Sequence, residues 1–202
     1  MASMPERVIL ASASPTRVRL LEAAGVAFVV EPAAIDESAI KREMRLAGRS
    51  AIECAQALAR AKAATVSARH PNALVIGADQ LLAAGDEWHD KPKTLAEARQ
   101  QLQSLRGRIH VLATAVCVLL AGELLWHAAS QPELTMREFS DAFLDGYIAA
   151  EGDALLGSVG AYRLETRGVQ LFSRMTGDHF AVLGLLLFEL LEFLRSRGAL
   201  LS

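Results

Sequence analysis

The chain has 202 residues, 52% of them hydrophobic, with a net charge of -2 and a mean hydropathy of +0.25. That length buries a full core without staples, and the composition is too apolar for a disordered chain. The charge balance excludes a global attraction to nucleic acid polymer or to anionic membrane, so a small-molecule partner is expected. Cys54 and Cys117 stand inside apolar patterns and read as free thiols of a reducing compartment. No secretory leader is read at the N-terminus, and the longest apolar segment, 180–194, carries Glu189 and Glu192 and is too short to span a bilayer, so a cytoplasmic protein is expected.

In chain order, residues 8–11 are an apolar run suited to a buried strand, which Ser12, Ser14 and Pro15 break with turn chemistry. Ser14 suits an N-cap and Pro15 the first helical position, so a helix follows, ending at Gly25. Arg17 and Arg19 in its first turns oppose the helix dipole. They point either to a phosphate pocket at that end or to an ordinary strand-to-helix turn with solvated arginines. Residues 27–30 read as a second strand, and Asp36 and Glu37 follow in a loop, as solvated acids or as ligands of a divalent metal. Residues 50–69 are a helix opened by a Ser50/Glu53 capping box. Lys62 shares a face with Leu58 and Val66, where a lysine snorkels by default or finds an anion. Residues 73–80 form an apolar strand in which Asp79 follows the small residues Gly77 and Ala78. A carboxylate at the end of a buried strand is how α/β proteins present catalytic or metal-binding groups.

Gly85 and Asp86 make a hairpin tip that returns the chain to Lys91 and Pro92, the proline biasing Lys91 toward an extended conformation. Thr94 and Glu97 open a helix that Gly107 ends. Residues 109–120 read as a long central strand turning into 124–127, with 135–139 pairing on. Ser140 caps a helix ending near Gly152, a glycine-punctuated loop carries Tyr162, Arg163 and Glu165, residues 169–173 are a strand, and 185–195 an amphipathic helix. The five histidines are scattered and read as structural. There is no P-loop, no Gly-x-Gly-x-x-Gly and no metal-spaced Cys or His set. What remains is the cations Arg17, Lys62 and Lys91 with the acids Glu37 and Asp79, a set suited to metal-assisted phosphoryl hydrolysis.

The ordered motifs Leu10-Ala11-Ser12-x-Ser14-Pro15-x-Arg17, Asp36-Glu37, Ala61-Lys62-Ala63, Gly77-Ala78-Asp79-Gln80 and Lys91-Pro92 resemble the Maf family of nucleoside triphosphate pyrophosphatases. Gly107-x-x-His110, Thr114-Ala115-Val116, Gly160-Ala161-Tyr162 and Val182-Leu183-Gly184-Leu185 extend the likeness over nearly the whole chain. The resemblance implies one α/β domain over residues 1–202, with a mixed twisted sheet, flanking helices and two lobes around a nucleotide cleft, as in inosine triphosphatase-like proteins. It implies hydrolysis between the α- and β-phosphates with a divalent metal, magnesium or manganese. Asp79 would then accept the proton of water, Glu37 and Asp79 would hold the metal, and Ser12, Ser14, Arg17, Lys62 and Lys91 would bind phosphates. A nucleotide substrate is the expected partner, a homodimer is admissible, and neither nucleic acid polymer nor membrane is expected.

Two departures stand out: Thr16 where many members carry a second arginine, and Leu186 where many carry proline. By the same resemblance Thr16, Gln80 and Glu165 fall where members differ with substrate, and members favouring thymidine and uridine triphosphates carry arginine, threonine and glutamine there. An ionised Glu165 only accepts hydrogen bonds, which matches the adjacent N1–H and N2 amino donors of guanine. A 7-methylated guanine also carries positive charge. The expected substrate is therefore 7-methyl-GTP, the alternatives being a dTTP/UTP pyrophosphatase of the family or a non-catalytic nucleotide-binding regulator of cell division.

Overall fold

A computed structural model of the chain describes residues 7–201. The expectation about a secretory leader falls on residues outside the described ones. The chain forms two compact units, one running to Asp79, resuming over Thr114–Ser130 and again from Asp178, the other taking Gln80–Ala113 and Gln131–Gly177.

In the first unit β1 (Arg7–Leu10) lies between β2 (Val29–Val30) and the first part of β3 (Ala73–Ala84), parallel to both, with Ile9 opposite Val29 and Val75. Parallel strands covered on both faces need continuous apolar runs, and β1 and β3 supply them. The helix α1 (Pro15–Ala23) makes the crossover from β1 to β2, capped by the Ser14 hydroxyl and with Pro15 at its first position. The long helix α3 (Ala51–Ser67) leads into β3, and both arms of its Ser50/Glu53 capping box are formed. The later part of β5 (Ile109–Leu120) pairs with β6 (Glu123–Ser130), and α6 (His179–Val182) and α7 (Leu187–Ser196) complete the unit. Its core joins Leu10, Leu21, Ile76, Val116, Leu185 and Leu190, all buried.

In the second unit β3 turns into β4 (Glu87–His89), Leu82 opposite His89, and β5 pairs with β7 (Glu133–Met136), which pairs with β8 (Phe172–Thr176), every contact antiparallel. The helices α4 (Leu95–Leu105) and α5 (Asp141–Glu151) flank three short 3-10 turns. Hydrogen bonding follows the order β2-β1-β3-β5-β7-β8, a mixed sheet.

Several elements differ from the sequence reading, among them α6, which that reading did not place, and β7, which spans Glu133–Met136 where 135–139 was expected. Between Asp36 and the long α3 stands a helix, α2 (Glu37–Leu46), with Asp36 as its N-cap; Ile40 and Met44 share one face of it at i+4, yet it buries no residue. The strand of 73–80 continues to Ala84, because β3 leaves its parallel partner and goes on into the hairpin with β4. Residues 169–173 are split between a 3-10 turn, Arg167–Leu171, and the start of β8, and Gly168 packs so tightly on the Arg163 backbone that a Cβ would collide there. The last helix starts at Leu187, its cap Leu186 making no side-chain bond, which is where the family proline would have stood.

Candidate active site

Four elements of the first unit converge on one group of charges. β1 pairs with β3 up to Leu10 opposite Ile76, and Asp79 lies three residues further, just past the parallel pairing. Ligands of open parallel sheets bind outside the carboxyl ends of the strands, where Asp79, the β1–α1 turn and the start of α2 are all found. The approach of α3 is set by small residues: Ala55, Ala59 and Ala63 are buried, and a Cβ on Gly77 would run into the Ala59 carbonyl oxygen. This close packing brings Lys62 to the sheet. Its ammonium lies 2.5 Å from Asp79 Oδ1 and 2.7 Å from Glu37 Oε1, and only 11% of its side chain is exposed, against 8% for Asp79 and 44% for Glu37. Lys62 therefore finds anions where snorkelling is the default.

The N-terminus of α1 faces the same region of the sequence as the turn hydroxyls. Ser14 Oγ accepts from the Arg17 N–H at 3.4 Å, and Ser12 Oγ accepts from the Ser14 N–H at 3.3 Å. Arg17 is buried, and burial lowers its pKa while the charges of Asp79 and Glu37 act to raise it. Thr16 accepts from Arg19 at 3.3 Å. Asp36 is committed as a cap, its Oδ1 accepting from the Ala39 N–H at 2.9 Å, whereas Glu37 turns to Lys62, so Glu37 is the better placed of the two for a ligand role.

The charges in this group cancel: two cations, Arg17 and Lys62, accompany two carboxylates, Glu37 and Asp79. Among the described residues no cluster of three or more His, Cys, Asp or Glu forms a protein-only metal cage. Magnesium and manganese do not require one, since such ions take one or two carboxylates with water and substrate phosphates as the remaining ligands. The carboxylates of Glu37 and Asp79, which converge on the Lys62 ammonium, fit that donor set and would be the residues to hold such an ion.

The remaining site candidates belong to the second unit. Gln80 follows Asp79 on β3 and is half-buried; Lys91 is exposed in the β4–α4 connection, ahead of the buried Pro92. Glu165 sits on a tight turn in which Thr166 N–H donates to the Arg163 carbonyl at 3.2 Å and Tyr147 Oη accepts from the Arg163 N–H at 3.4 Å. Arg163 lies 3.8 Å from Glu165 and 3.7 Å from the buried Glu151, a charge contact that the sequence pattern did not signal. The family motifs around Gly107 and Gly160 also meet in this unit, through a 2.9 Å bond between His110 Nε2 and the Tyr162 hydroxyl.

Residues 7–197 match the family model described as Maf-like protein. The nucleoside triphosphate pyrophosphatase of Rhodospirillum rubrum is 50% identical over 202 residues, covering 100% of both chains. The protein of that name from Granulibacter bethesdensis is 50% identical over 194 residues, 96% of this chain and 98% of its own. The 7-methyl-GTP pyrophosphatase of Rhizobium meliloti is 44% identical over 197 residues, 98% of this chain and 99% of its own. Among solved structures, a nucleoside-triphosphatase / dITP/XTP pyrophosphatase from Mycobacterium abscessus aligns with a TM-score of 0.39 at 17% identity, covering 66% of this chain and 75% of that one. No helix among the described residues is long and apolar enough to cross a membrane.

Proposed function

The chain belongs to the Maf family and works as a nucleoside triphosphate pyrophosphatase, and from that premise we propose that it cleaves 7-methyl-GTP between the α- and β-phosphates, with Asp79 as the proton acceptor. The observation that carries the reading is the Lys62 ammonium held between Asp79 and Glu37 beside the capped end of α1. Binding alone does not call for a buried carboxylate there, whereas hydrolysis does: Asp79 takes a proton from the attacking water, which a positioned base accelerates by about 10²–10⁴. Lys62 and Lys91 meet the phosphates as point charges, and Ser12, Ser14 and the α1 N-terminus add neutral donors. A magnesium or manganese ion held by Glu37 and Asp79 would polarise the phosphoryl oxygens and offset their charge.

The choice of base rests on Glu165. Its carboxylate would accept from the N1–H and N2 amino group of guanine. Thymine and uracil present one donor between acceptors and leave a carboxylate oxygen facing lone pairs. The relative named 7-methyl-GTP pyrophosphatase, 44% identical, supports this substrate. Pyrophosphate release from 7-methyl-GTP, GTP, dTTP and UTP with magnesium or manganese tests it. The highest kcat/KM falls on 7-methyl-GTP, D79N loses at least about 10²-fold in kcat, and E165Q loses about tenfold to several-hundredfold in efficiency on that nucleotide. A preference for dTTP or UTP transfers the assignment to the pyrimidine branch, and D79N with near-normal turnover removes Asp79 as the base.

A further inference from the structure

Resting on the pyrophosphatase reading, we propose that Arg17 is a positioning residue and not a phosphate ligand: it makes the Ser12 hydroxyl an obligate donor toward the polyphosphate and fixes the peptide that carries Asp79. A guanidinium offers five N–H groups in a rigid fork. In Arg17, Nε donates to the Gly184 carbonyl at 2.8 Å, and Nη1 donates to both Ser12 Oγ and the Ala78 carbonyl at 3.0 Å. Three of the five therefore end on protein oxygens, and the side chain is 8% exposed. Such a residue is built into the fold before any substrate arrives.

Each acceptor has a consequence. Ser12 Oγ already accepts from the Ser14 N–H, so with Arg17 both of its lone pairs are engaged. Its remaining capacity is its own proton, and a hydroxyl that can only donate is matched to phosphate oxygens, which only accept. The Ala78 carbonyl belongs to the peptide bond leading into Asp79, so the bond to Arg17 holds the backbone from which that carboxylate reaches Lys62. Gly184 closes the arrangement: its φ is +99°, and a Cβ there would lie 3.2 Å from Arg17 Nε. A lysine carries its charge at one point and cannot span three acceptors placed for a planar fork.

The variants R17K, S12A and R17K/S12A are compared with the wild type for kcat and KM on the best nucleotide of the panel. Hydrogen exchange is read by mass spectrometry at residues 11–14 and 76–79 without nucleotide. R17K is expected to lower kcat about 100-fold, the cost of misplacing reacting groups by about an ångström, with KM within about threefold of the wild type. S12A loses about tenfold in kcat/KM, and the double variant is no worse than R17K to within about threefold, because Ser12 is already misdirected there. Both segments exchange faster in R17K, as expected when local bonds that hold them are lost. A KM raised tenfold or more at unchanged kcat in R17K, losses that multiply in the double variant, or exchange unchanged in both segments each overturns the proposal. If R17K does not fold, S12A decides by kinetics: a loss of about tenfold in kcat/KM supports Ser12 as the donor toward the polyphosphate, and an unchanged kcat/KM overturns it. If the wild type releases pyrophosphate from no nucleotide, the functional reading fails by itself, and the exchange measurement still decides the role of Arg17.

Discussion

A Cβ built on Gly77 would strike the Ala59 carbonyl oxygen and lie 2.8 Å from the Ala63 Cβ. The backbone of a helix does not yield as a side-chain tip does, so G77A has to push α3 away from β3. Overpacking of this kind costs about 1–3 kcal/mol. Because Lys62 rides on α3 and Asp79 on β3, the same displacement lengthens their 2.5 Å contact. Urea denaturation of G77A is expected to give a loss in that range together with reduced turnover, and a loss below about 0.5 kcal/mol would mean the helix relaxes freely. The sequence shows Gly77 as a small residue before a carboxylate, but not what approaches it. Lys62 is similar: its i+4 spacing with Leu58 and Val66 locates it on an apolar face, while its partners arrive from Glu37 and Asp79, far along the chain or on another element. Arg17 goes further, since its three acceptors lie 5, 61 and 167 residues away and no local pattern names them.

At the scale of elements, β5 and the turn at 159–161 depend on each other through His110 and Tyr162. Burial raises the Tyr162 hydroxyl pKa, so the phenol stays protonated beside the His110 imidazole, which meets it through Nε2 and not through Nδ1. That Nδ1 has no protein partner among the described residues. Burial, helped by the charges of His89 and Arg108, pushes the His110 pKa from 6.5 down to about 4. A base whose pKa is depressed on folding binds more protons when unfolded, so stability is full above pH 6.5 and is lost as pH falls toward 4. The shift corresponds to about 3 kcal/mol across that window. Chemical denaturation at pH 7.5 and pH 5 is expected to show about 2 kcal/mol of this loss in the wild type and a much smaller one in H110Q; equal losses would assign the pH dependence to other groups. The sequence reads His110 as structural, and the bond agrees. Caps and strands were legible because Ser14, Ser50, Thr94 and Ser140 act on residues within a few positions. The Thr94 box departs in detail, since the Glu97 carboxylate accepts from the Lys93 N–H at 2.7 Å. In α2 the amphipathic pattern, Ile40 and Met44 at i+4, does not signal burial, since all its residues are at least partly exposed.

For the whole molecule, a net charge of -2 provides no long-range pull on a nucleotide that itself carries about four negative charges at neutral pH. The charges gathered in the first unit cancel as well, Arg17 and Lys62 against Glu37 and Asp79. On the proposed mechanism, affinity for a triphosphate comes from short-range donors and from a cation that arrives with it, so binding is expected to depend on a divalent metal. A ligand that binds only the folded state stabilises it by mass action, about 2.7 kcal/mol at a hundred times its Kd. For a chain of this size each kcal/mol moves the melting temperature by about 2–4 °C, so an α,β-imido nucleotide at that excess with magnesium or manganese should raise Tm by about 5–10 °C. The non-hydrolysable bridge keeps turnover from removing the ligand during the scan. In EDTA the triphosphate meets a first-unit group whose formal charges sum to zero, and the shift should fall below about 2 °C. E37Q leaves the group one negative charge short and weakens its hold on the metal, so it should need a higher metal concentration for the same shift. A shift of equal size in EDTA would remove the metal from the binding step and leave Lys62, Lys91 and the serine hydroxyls to hold the phosphates unaided.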